Sequence, residues 1–569
     1  MIDTLKQDIR TYLEKTLEAR FQQVIPVVVE EPKKADQGDL SVPVFSIVKE
    51  LRQPLPLITQ LVKQLLLEGE LSTMIDHIDV MGGFVNVHFD KKAMADQIIA
   101  NFTRDLLHNQ LGGSNEGVGK TIVMDYSSPN IAKTFSIGHL RSTIIGHAIG
   151  NLLEKCGYHV VRINHLGDWG TQFGKIIYAY LHYGDPAKVE ANPIEELVKL
   201  YVDFHEREKQ DPNLEVEARA VFKGLEDRNP QYLALWEKFR EVSLQEYMKI
   251  YDLLGVRFDS YAGEASYVDK TDAIIEELTA KGLLVEDQGA MIVDLGDIAP
   301  ALIQKSDGTT LYFTRELAAL FFRKREYDFD KVLYVVGNEQ KLHFEQLRRV
   351  VDKMGYDFPE DIIHVNFGLV LQDGKKMSTR KGKIVKLIDV LEEAISMSLS
   401  YIGDKNPDLE NKEEIAKKIG TSAIIFNDLK NYRVNDFEFN LDEMVNFNGQ
   451  TGPYLQYTSV RITSILATSP IDSSRINEDV FLDEVAFDML KEISLYQDTI
   501  SRAAREFAPS ILAKYLLHLA SLFNSYYGKE RIVVEDSMER NAKFLLLFMV
   551  RAVLDDGMKL LGMQVIEKM

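Results

Sequence analysis

One stretch constrains the fold of this chain more than any other: residues 121–157, TIVMDYSSPNIAKTFSIGHLRSTIIGHAIGNLLEKCG. Its first part, 121–127, is rich in β-branched residues and reads as a strand. Ser127-Ser128-Pro129-Asn130 breaks that run. From about Gly138 apolar residues recur at Leu140, Ile144, Ala148 and Leu152, the one-face spacing of an α-helix, and Gly157 ends it. Residues 158–164 read as a second strand. Strand, helix and strand in that order make a parallel pair with a right-handed crossover, which places the region in the α/β class. The strand-to-helix junction aims unpaired N–H groups and the positive helix end at whatever lies above the first strand, and His139 stands in that turn. This is the outline of a phosphate site. The segment LGDWGTQFG, 166–174, follows the second strand at the edge where open α/β sheets bind ligands.

A chain of 569 residues is too long for one core and divides into three or four domains. The N-terminal segment is an amphipathic, charged helix pattern without an apolar leader core, and no apolar run approaches a membrane span, so a cytoplasmic protein without membrane partners is expected. A single cysteine, Cys156, excludes an internal disulfide framework and any multi-thiolate zinc site; it reads as a buried apolar residue. The net charge of −21 excludes a protein that coats nucleic acid indiscriminately, but it allows a basic strip on an acidic body. Candidate strips are Lys375, Lys376, Arg380, Lys381 and Lys383, and also Arg323, Lys324 and Arg325; taken alone, each reads as solvated surface.

Residues 1–115 read as a small α+β domain, closed by a Gly-rich polar linker within 111–120. Gly119-Lys120-Thr121 imitates the end of a P-loop, but Ser114 stands where its first glycine belongs and a strand follows instead of a helix. From about 178 to 251 the chain is helical and highly charged, an insertion into the α/β unit. Strands are then expected at 290–294, 331–336 and 362–370, continuing the sheet across the insertion, with helices at 314–325 and 342–354. The α/β unit thus spans 116–386, and helical periodicity dominates from 387 to the end, at 415–429, 487–507, 510–527 and 541–561.

Two short words give this architecture a chemistry. Ser136-Ile137-Gly138-His139 resembles the HIGH signature of class I aminoacyl-tRNA synthetases, and Lys376-Met377-Ser378-Thr379-Arg380 resembles their KMSKS loop. The surrounding blocks SSPNIAK, GHLRSTIIG, NHLGDWGTQFG, LYFTRE, VGNEQKLHF and GPYLQYTSVRI are similar to those of arginyl-tRNA synthetases, and together they cover most of the chain. The resemblance implies a Rossmann-like catalytic domain, an N-terminal domain at 1–115 that contacts tRNA, a helical connection at 387–445 and an anticodon-binding helical bundle at 446–569. It also implies ATP with Mg2+, L-arginine and arginine-accepting tRNA as substrates, no zinc or other resident metal, and a monomer.

The first step of that reaction, attack of a carboxylate on the α-phosphorus of ATP, is catalysed by positioning and by neutralising phosphate charge. By resemblance His139, Lys376, Arg380, Lys133 and Ser136 are catalytic, and Gly138, His139, Lys376, Met377 and Ser378 bind ATP. Two departures stand out. Ser136 replaces the first histidine of the signature, and Thr379 replaces the second lysine of the loop, with Lys133 the implied compensating cation. A planar guanidinium with five N–H donors calls for carboxylates in fork geometry, and the resemblance assigns Glu264, Tyr312 and Glu316 to it. Glu316 stands where aspartate is usual. Asp125, Asn130 and Gln340 are assigned to the α-amino end. Each of these residues taken singly would be an ordinary packed or solvated side chain. His165 and His343 lie between wall residue and ligand contact, and Trp169 reads as packing near the site. Tyr454, Tyr457 and Arg461 share one helical face and are the implied tRNA contacts, although a core stripe has the same spacing. Three other readings remain: a tRNA-binding relative without catalysis, a nucleotidyltransferase acting without RNA, and another amino-acid specificity on the same scaffold.

Overall fold

The computed structural model describes residues 2–32, 34, 37–305, 311–377, 379–380 and 383–569, with the backbone alone at 2–4, 70, 379–380 and 383–384. In the N-terminal unit, strands β1 (Leu40–Pro43), β2 (Ile75–Met81) and β3 (Phe84–Phe89) form an antiparallel sheet with β3 in the centre. Its alternation is legible in β3, where Val85, Val87 and Phe89 turn into the core while Phe84 stays exposed. Helices Ile2–Phe21 and Leu55–Glu68 cover that face, the second through Ile58, Val62, Leu65 and Leu66. Asp90 then caps the helix Lys91–Leu107 by accepting the N–H of Ala93.

The second unit is built on four parallel strands: β4 (Thr121–Asp125), β5 (His159–Ile163), β9 (Lys331–Tyr334) and β10 (Ile362–His364), in the spatial order β10-β9-β4-β5. Period-2 alternation in β4 decides which helices lie on which side. Ile122 and Met124 pack with Ile144, Ile145 and Ala148 of the helix Leu140–Lys155, whereas Val123 packs with Leu317 and Leu320 of the helix Tyr312–Tyr327. The chain leaves β4 toward β5 on one side and returns as β9 on the other. The loops after β4 and β9 therefore part at a topological switch point, where a crevice opens above the carboxyl ends of the strands.

Two strand expectations need correction. The run at 290–294 forms a strand, β7 (Ala290–Val293), but it pairs antiparallel with β6 (Leu284–Asp287) and β8 (Ala301–Gln304) in a separate sheet. The run at 362–370 is two strands. The parallel strand stops at His364, and β11 (Val370–Gln372) pairs instead with β12 (Lys375–Lys376) and with Phe437–Glu438. The basic strip at 323–325 is also corrected in part, because Arg323 is completely buried.

Between the strands of the main sheet the chain is helical, at Thr171–Tyr183, Pro186–Ala191, Pro193–Glu208, Asn213–Glu226 and Pro230–Leu254. The last of these leans on the loop after β4. The C-terminal part consists of helices, including Lys412–Leu429, Gly452–Leu466, Pro509–Lys529 and Ser537–Leu560. The long helix foreseen at 487–507 is divided into Glu484–Ser494 and Tyr496–Arg505. A buried ion pair joins the two parts: Arg141, on the helix after β4, meets Asp428 at 3.1 Å and stacks on Phe437. Among the described residues no helix is long and apolar enough to cross a membrane.

Candidate active site

The loop after β4 is held in an unusual backbone path. Ser127 and Ser128 have φ values of 71° and 49°, and Ala132 follows at 56°. Non-glycine residues hold such angles only where surrounding bonds over-determine them. Here those bonds are present. The N–H of Ser127 donates to Ser142 Oγ at 2.8 Å, that of Ser128 to Asn164 Oδ1 at 3.2 Å, and the Tyr247 hydroxyl reaches the carbonyls of Asn130 and Lys133, both at 2.7 Å. Asn130 lies so close to residue 167 that a Cβ there would fall 2.0 Å from its Oδ1, so any larger residue would displace the Asn130 side chain.

This loop delivers Ser136 to His139 at the crevice. The Ser136 N–H donates to His139 Nδ1 at 3.1 Å, with Ser136 Oγ at 3.2 Å from the same nitrogen. Burial above all, and the nearby Lys133 ammonium, pull the imidazole down to about 4, with the Ser136 backbone in partial opposition. The ring is therefore neutral at pH 7. With Nδ1 accepting, its proton sits on Nε2, where it can be donated to a ligand. Gly138 is exposed with an ordinary φ, and a Cβ added to it would meet only Ser136 Oγ at 3.5 Å. Neither its conformation nor protein packing calls for glycine. Lys133 is half-buried, its pKa lowered by that burial, and among the described residues no carboxylate lies within ion-pair distance of it.

On the other side of the crevice lies a buried charge cluster. Glu316 is 3% exposed. Burial pushes its carboxyl up, but His165, Arg323, His343 and the Tyr312 hydroxyl together outweigh that and hold it below the usual range, hence ionised. The Tyr312 side chain is 45% exposed, but desolvation of its hydroxyl and the charges of Glu316, Glu264 and Asp125 raise the phenol well above the usual range. Arg323 Nη2 meets Asp125 at 2.8 Å, while its Nη1 stays 4.0 Å from Glu316. Asp125 also accepts from Ser128 Oγ at 2.8 Å. Glu264 accepts from Arg315 Nη2 at 3.0 Å, and its carboxyl is raised mainly by burial, with the Arg315 guanidinium opposing. The turn carrying Glu264 is fastened to the GDWG segment, since Asp168 accepts the Ala265 N–H at 2.9 Å and pairs with Arg240 at 3.0 Å. Asn130, Trp169, Gln172, Glu264, Tyr312 and Arg315 line a cavity of about 370 Å3.

Within this cluster several buried polar atoms have no hydrogen-bond partner: Glu316 Oε1, Arg323 Nε and Nη1, His165 Nε2, Tyr334 Oη and His343 Nε2. Orphaned buried groups are costly and rare. Gathered here, they are groups that a bound molecule or ordered water can satisfy.

The hairpin that carries Lys376 stands beside the turn after β9. Strands β11 and β12 form a hairpin about Asp373 and Gly374, and it presents Lys376, whose Nζ lies 3.4 Å from Glu339 Oε1. Glu339 belongs to the turn after β9 that also carries the exposed Gln340. Met377 is buried, and its N–H donates to Val370 O at 2.8 Å. Ser378 lies outside the described residues. Arg380 is described only as backbone, opposite Lys383. Far from the crevice, the Arg461 guanidinium lies 4.7 Å from the Tyr457 ring centre and 5.2 Å from that of Tyr527. Tyr454 is half-buried, and its hydroxyl accepts from Asn524 at 2.8 Å.

The chain matches three family models: "Arginyl tRNA synthetase N terminal domain" over residues 3–89, "tRNA synthetases class I (R), catalytic domain" over 101–441, and "DALR anticodon binding domain" over 455–569. It is 47% identical over 548 residues to the Arginine--tRNA ligase of Enterococcus faecalis, covering 96% of each chain. The chain belongs to the arginyl-tRNA synthetase family. An arginine--tRNA ligase of Exiguobacterium sibiricum is 46% identical over 555 residues, 97% of each chain. The arginyl-tRNA synthetase of Plasmodium falciparum superposes with a TM-score of 0.79 at 25% identity, covering 99% of both chains. That of Thermus thermophilus has the same fold, at TM-score 0.77 and 23% identity over 99% of this chain and 100% of its own.

The structure brings Asp125, Glu264, Tyr312 and Glu316 into one cluster and puts Ser136, Gly138 and His139 at a neighbouring helix start. Gln340 and Lys376 stand on the facing rim. Sequence reasoning missed Arg323, Arg315, Asp168 and Glu339, the residues that hold those groups. A signal for Arg323 was available: it lies two helical turns beyond Glu316 on the same face, an unusual place for a solvated cation in this arginyl-tRNA synthetase.

Proposed function

We propose that the chain is an arginine–tRNA ligase that forms arginyl-adenylate from L-arginine and MgATP and then transfers the arginyl group to the 2′-hydroxyl of the terminal adenosine of arginine-accepting tRNA. The observation that carries the arginine assignment is Glu316 Oε1, a buried and ionised acceptor without a hydrogen-bond partner, with Arg323 Nη1 held 4.0 Å away. A bound guanidinium satisfies it with a charge-assisted hydrogen bond, while the Tyr312 hydroxyl and Glu264 supply further acceptors around the same planar group. Lysine and citrulline leave acceptors unpaired there, which is the source of selectivity. Asn130, Gln340 and the lone pairs Asp125 retains beside Arg323 and Ser128 orient the α-amino end, so that the substrate carboxylate reaches the α-phosphorus.

ATP lies with its adenosine over Gly138 and its phosphates toward His139 Nε2–H and the helix end. As charge builds on the pyrophosphate, Lys376 leaves Glu339 for the leaving group. That exposed pair is weak, so the exchange costs little. Arg380 and Lys133 contribute further positive charge, and Ser136 keeps the imidazole turned the right way. Residues 1–115 and the helices of 446–569, including Tyr454, Tyr457 and Arg461, contact tRNA. The enzyme acts in the cytoplasm as a monomer, and tRNA must be bound for the activation step. Arginine-dependent exchange of pyrophosphate into ATP, run with and without tRNA, tests this: label incorporation only with arginine and tRNA together is expected, and none under any condition refutes catalysis.

A further inference from the structure

The N-terminal sheet carries a group of side chains that the ligase reaction does not use. On its solvent-facing side, His77 and Asp79 of β2 lie two residues apart on one strand face, and His88 of β3 stands directly across from His77. The two imidazoles stack with ring centres 4.0 Å apart. Asp79 Oδ2 lies 3.8 Å from His77 Nε2 and 3.4 Å from His88 Nε2, and all three donor atoms fall within 4.8 Å of one another. Ligand atoms at about 2.05 Å around a tetrahedral ion stand about 3.3 Å apart, so closing the triad on one centre requires the stacked rings to tilt until their planes meet there, a rotation that the exposed His77 side chain allows.

Two features make the triad more than a chance meeting of polar groups. His88 Nε2 is buried and has no hydrogen-bond partner, although it points toward Asp79. The other ring nitrogen of His77 is already engaged: Nδ1 lies 2.7 Å from Asp76 Oδ2. A carboxylate on Nδ1–H fixes the tautomer that leaves Nε2 with its lone pair free, the arrangement that metal-binding histidines use. We propose that His77, Asp79 and His88 bind one transition-metal dication, Zn2+ above all, with Asp76 orienting His77 and water completing the coordination shell. Two imidazoles and one carboxylate prefer such borderline ions to Mg2+ or Ca2+, which seek all-oxygen shells. The ligands come from two strands, so no local spacing in the sequence announces them. Bound metal pins β2 to β3 at the open face of the sheet.

The test uses the full-length protein freed of metal with a chelator, and Zn2+ alone as the probe in equilibrium dialysis, with Co2+ absorption as a second readout. One equivalent bound by the native chain is expected, and at least a tenfold loss of affinity in each of His77→Ala, Asp79→Asn and His88→Ala. Asp76→Asn is expected to weaken binding by about 10- to 100-fold while leaving the three ligands in place. Co2+ is expected to give visible bands that vanish in His88→Ala. Failure of the native chain to bind either ion overturns the proposal, as does binding that persists undiminished in all three ligand variants.

Discussion

Replacing Glu316 by glutamine isolates the contact on which arginine selectivity is argued to depend. Gln is nearly isosteric, and Arg323 keeps Asp125 at 2.8 Å while standing 4.0 Å from Glu316, so the fold should survive the change. What is lost is a hydrogen bond between two charged groups in a buried setting. Such bonds contribute about 1.5–3 kcal/mol, and one tenfold step in rate corresponds to about 1.4 kcal/mol. The expected fall in kcat/KM for arginine is therefore about 10- to 150-fold, with KM for ATP unchanged. The glutamine amide also offers a donor where the guanidinium needs an acceptor, so preference for arginine over citrulline should shrink. Pyrophosphate exchange at saturating ATP and tRNA, with each amino acid titrated, reads both quantities. A kcat/KM within about threefold of the native value, with discrimination intact, would remove Glu316 from the guanidinium pocket and with it the reasoning from its orphaned oxygen.

Gly138→Ala should leave thermal stability unchanged, because the added Cβ has room in the free protein, but it should raise KM for ATP at least about tenfold if adenosine lies over that face; an unchanged KM places the nucleotide elsewhere. Lys376→Ala should slow adenylate formation by about 100- to 1000-fold, the scale for removing one group aimed at transition-state charge, whereas Glu339→Ala, which breaks only an exposed pair, should change it less than about fivefold; single-turnover kinetics distinguishes the two. Arg141→Ala leaves the Asp428 carboxylate buried and unpaired, a loss of about 3–5 kcal/mol that should appear as a lower unfolding temperature, with much of it regained in Arg141→Met combined with Asp428→Leu. For His139 the folded imidazole takes up its proton only at about 4, below the unfolded value near 6.5. Between those pH values the unfolded chain binds the proton and the native one does not, so stability should fall as pH drops from about 6.5 to 4. His139→Asn should make that decline shallower in urea titrations at a series of pH values.

Features that depend on local sequence could be read in advance, and features that depend on distant partners could not. The strand, loop and helix of 121–157 were legible because β-branching, a Ser-Ser-Pro-Asn break and helical spacing all act within a few residues. The same signals identify 290–293 as a strand but say nothing of its neighbours, and it pairs with 284–287 and 301–304 instead of the parallel sheet. Arg323 illustrates the same limit for side chains. Beside Lys324 and Arg325 it reads as surface charge, yet its partner Asp125 is contributed by the end of β4 from a remote part of the chain. The candidate site residues were legible as motif words. The groups that turn them into a site, Asp168 beneath Glu264 and Tyr247 beneath the loop of Asn130, act through tertiary contacts with no sequence signature.

The central claim is that this chain attaches arginine to tRNA, and the most direct test supplies the purified protein with ATP, Mg2+, unfractionated tRNA and each labelled amino acid in turn. Acid-precipitable label with arginine alone, released by mild base as expected of an aminoacyl ester, is the predicted result. No label with arginine, or equal label with lysine, would contradict the account.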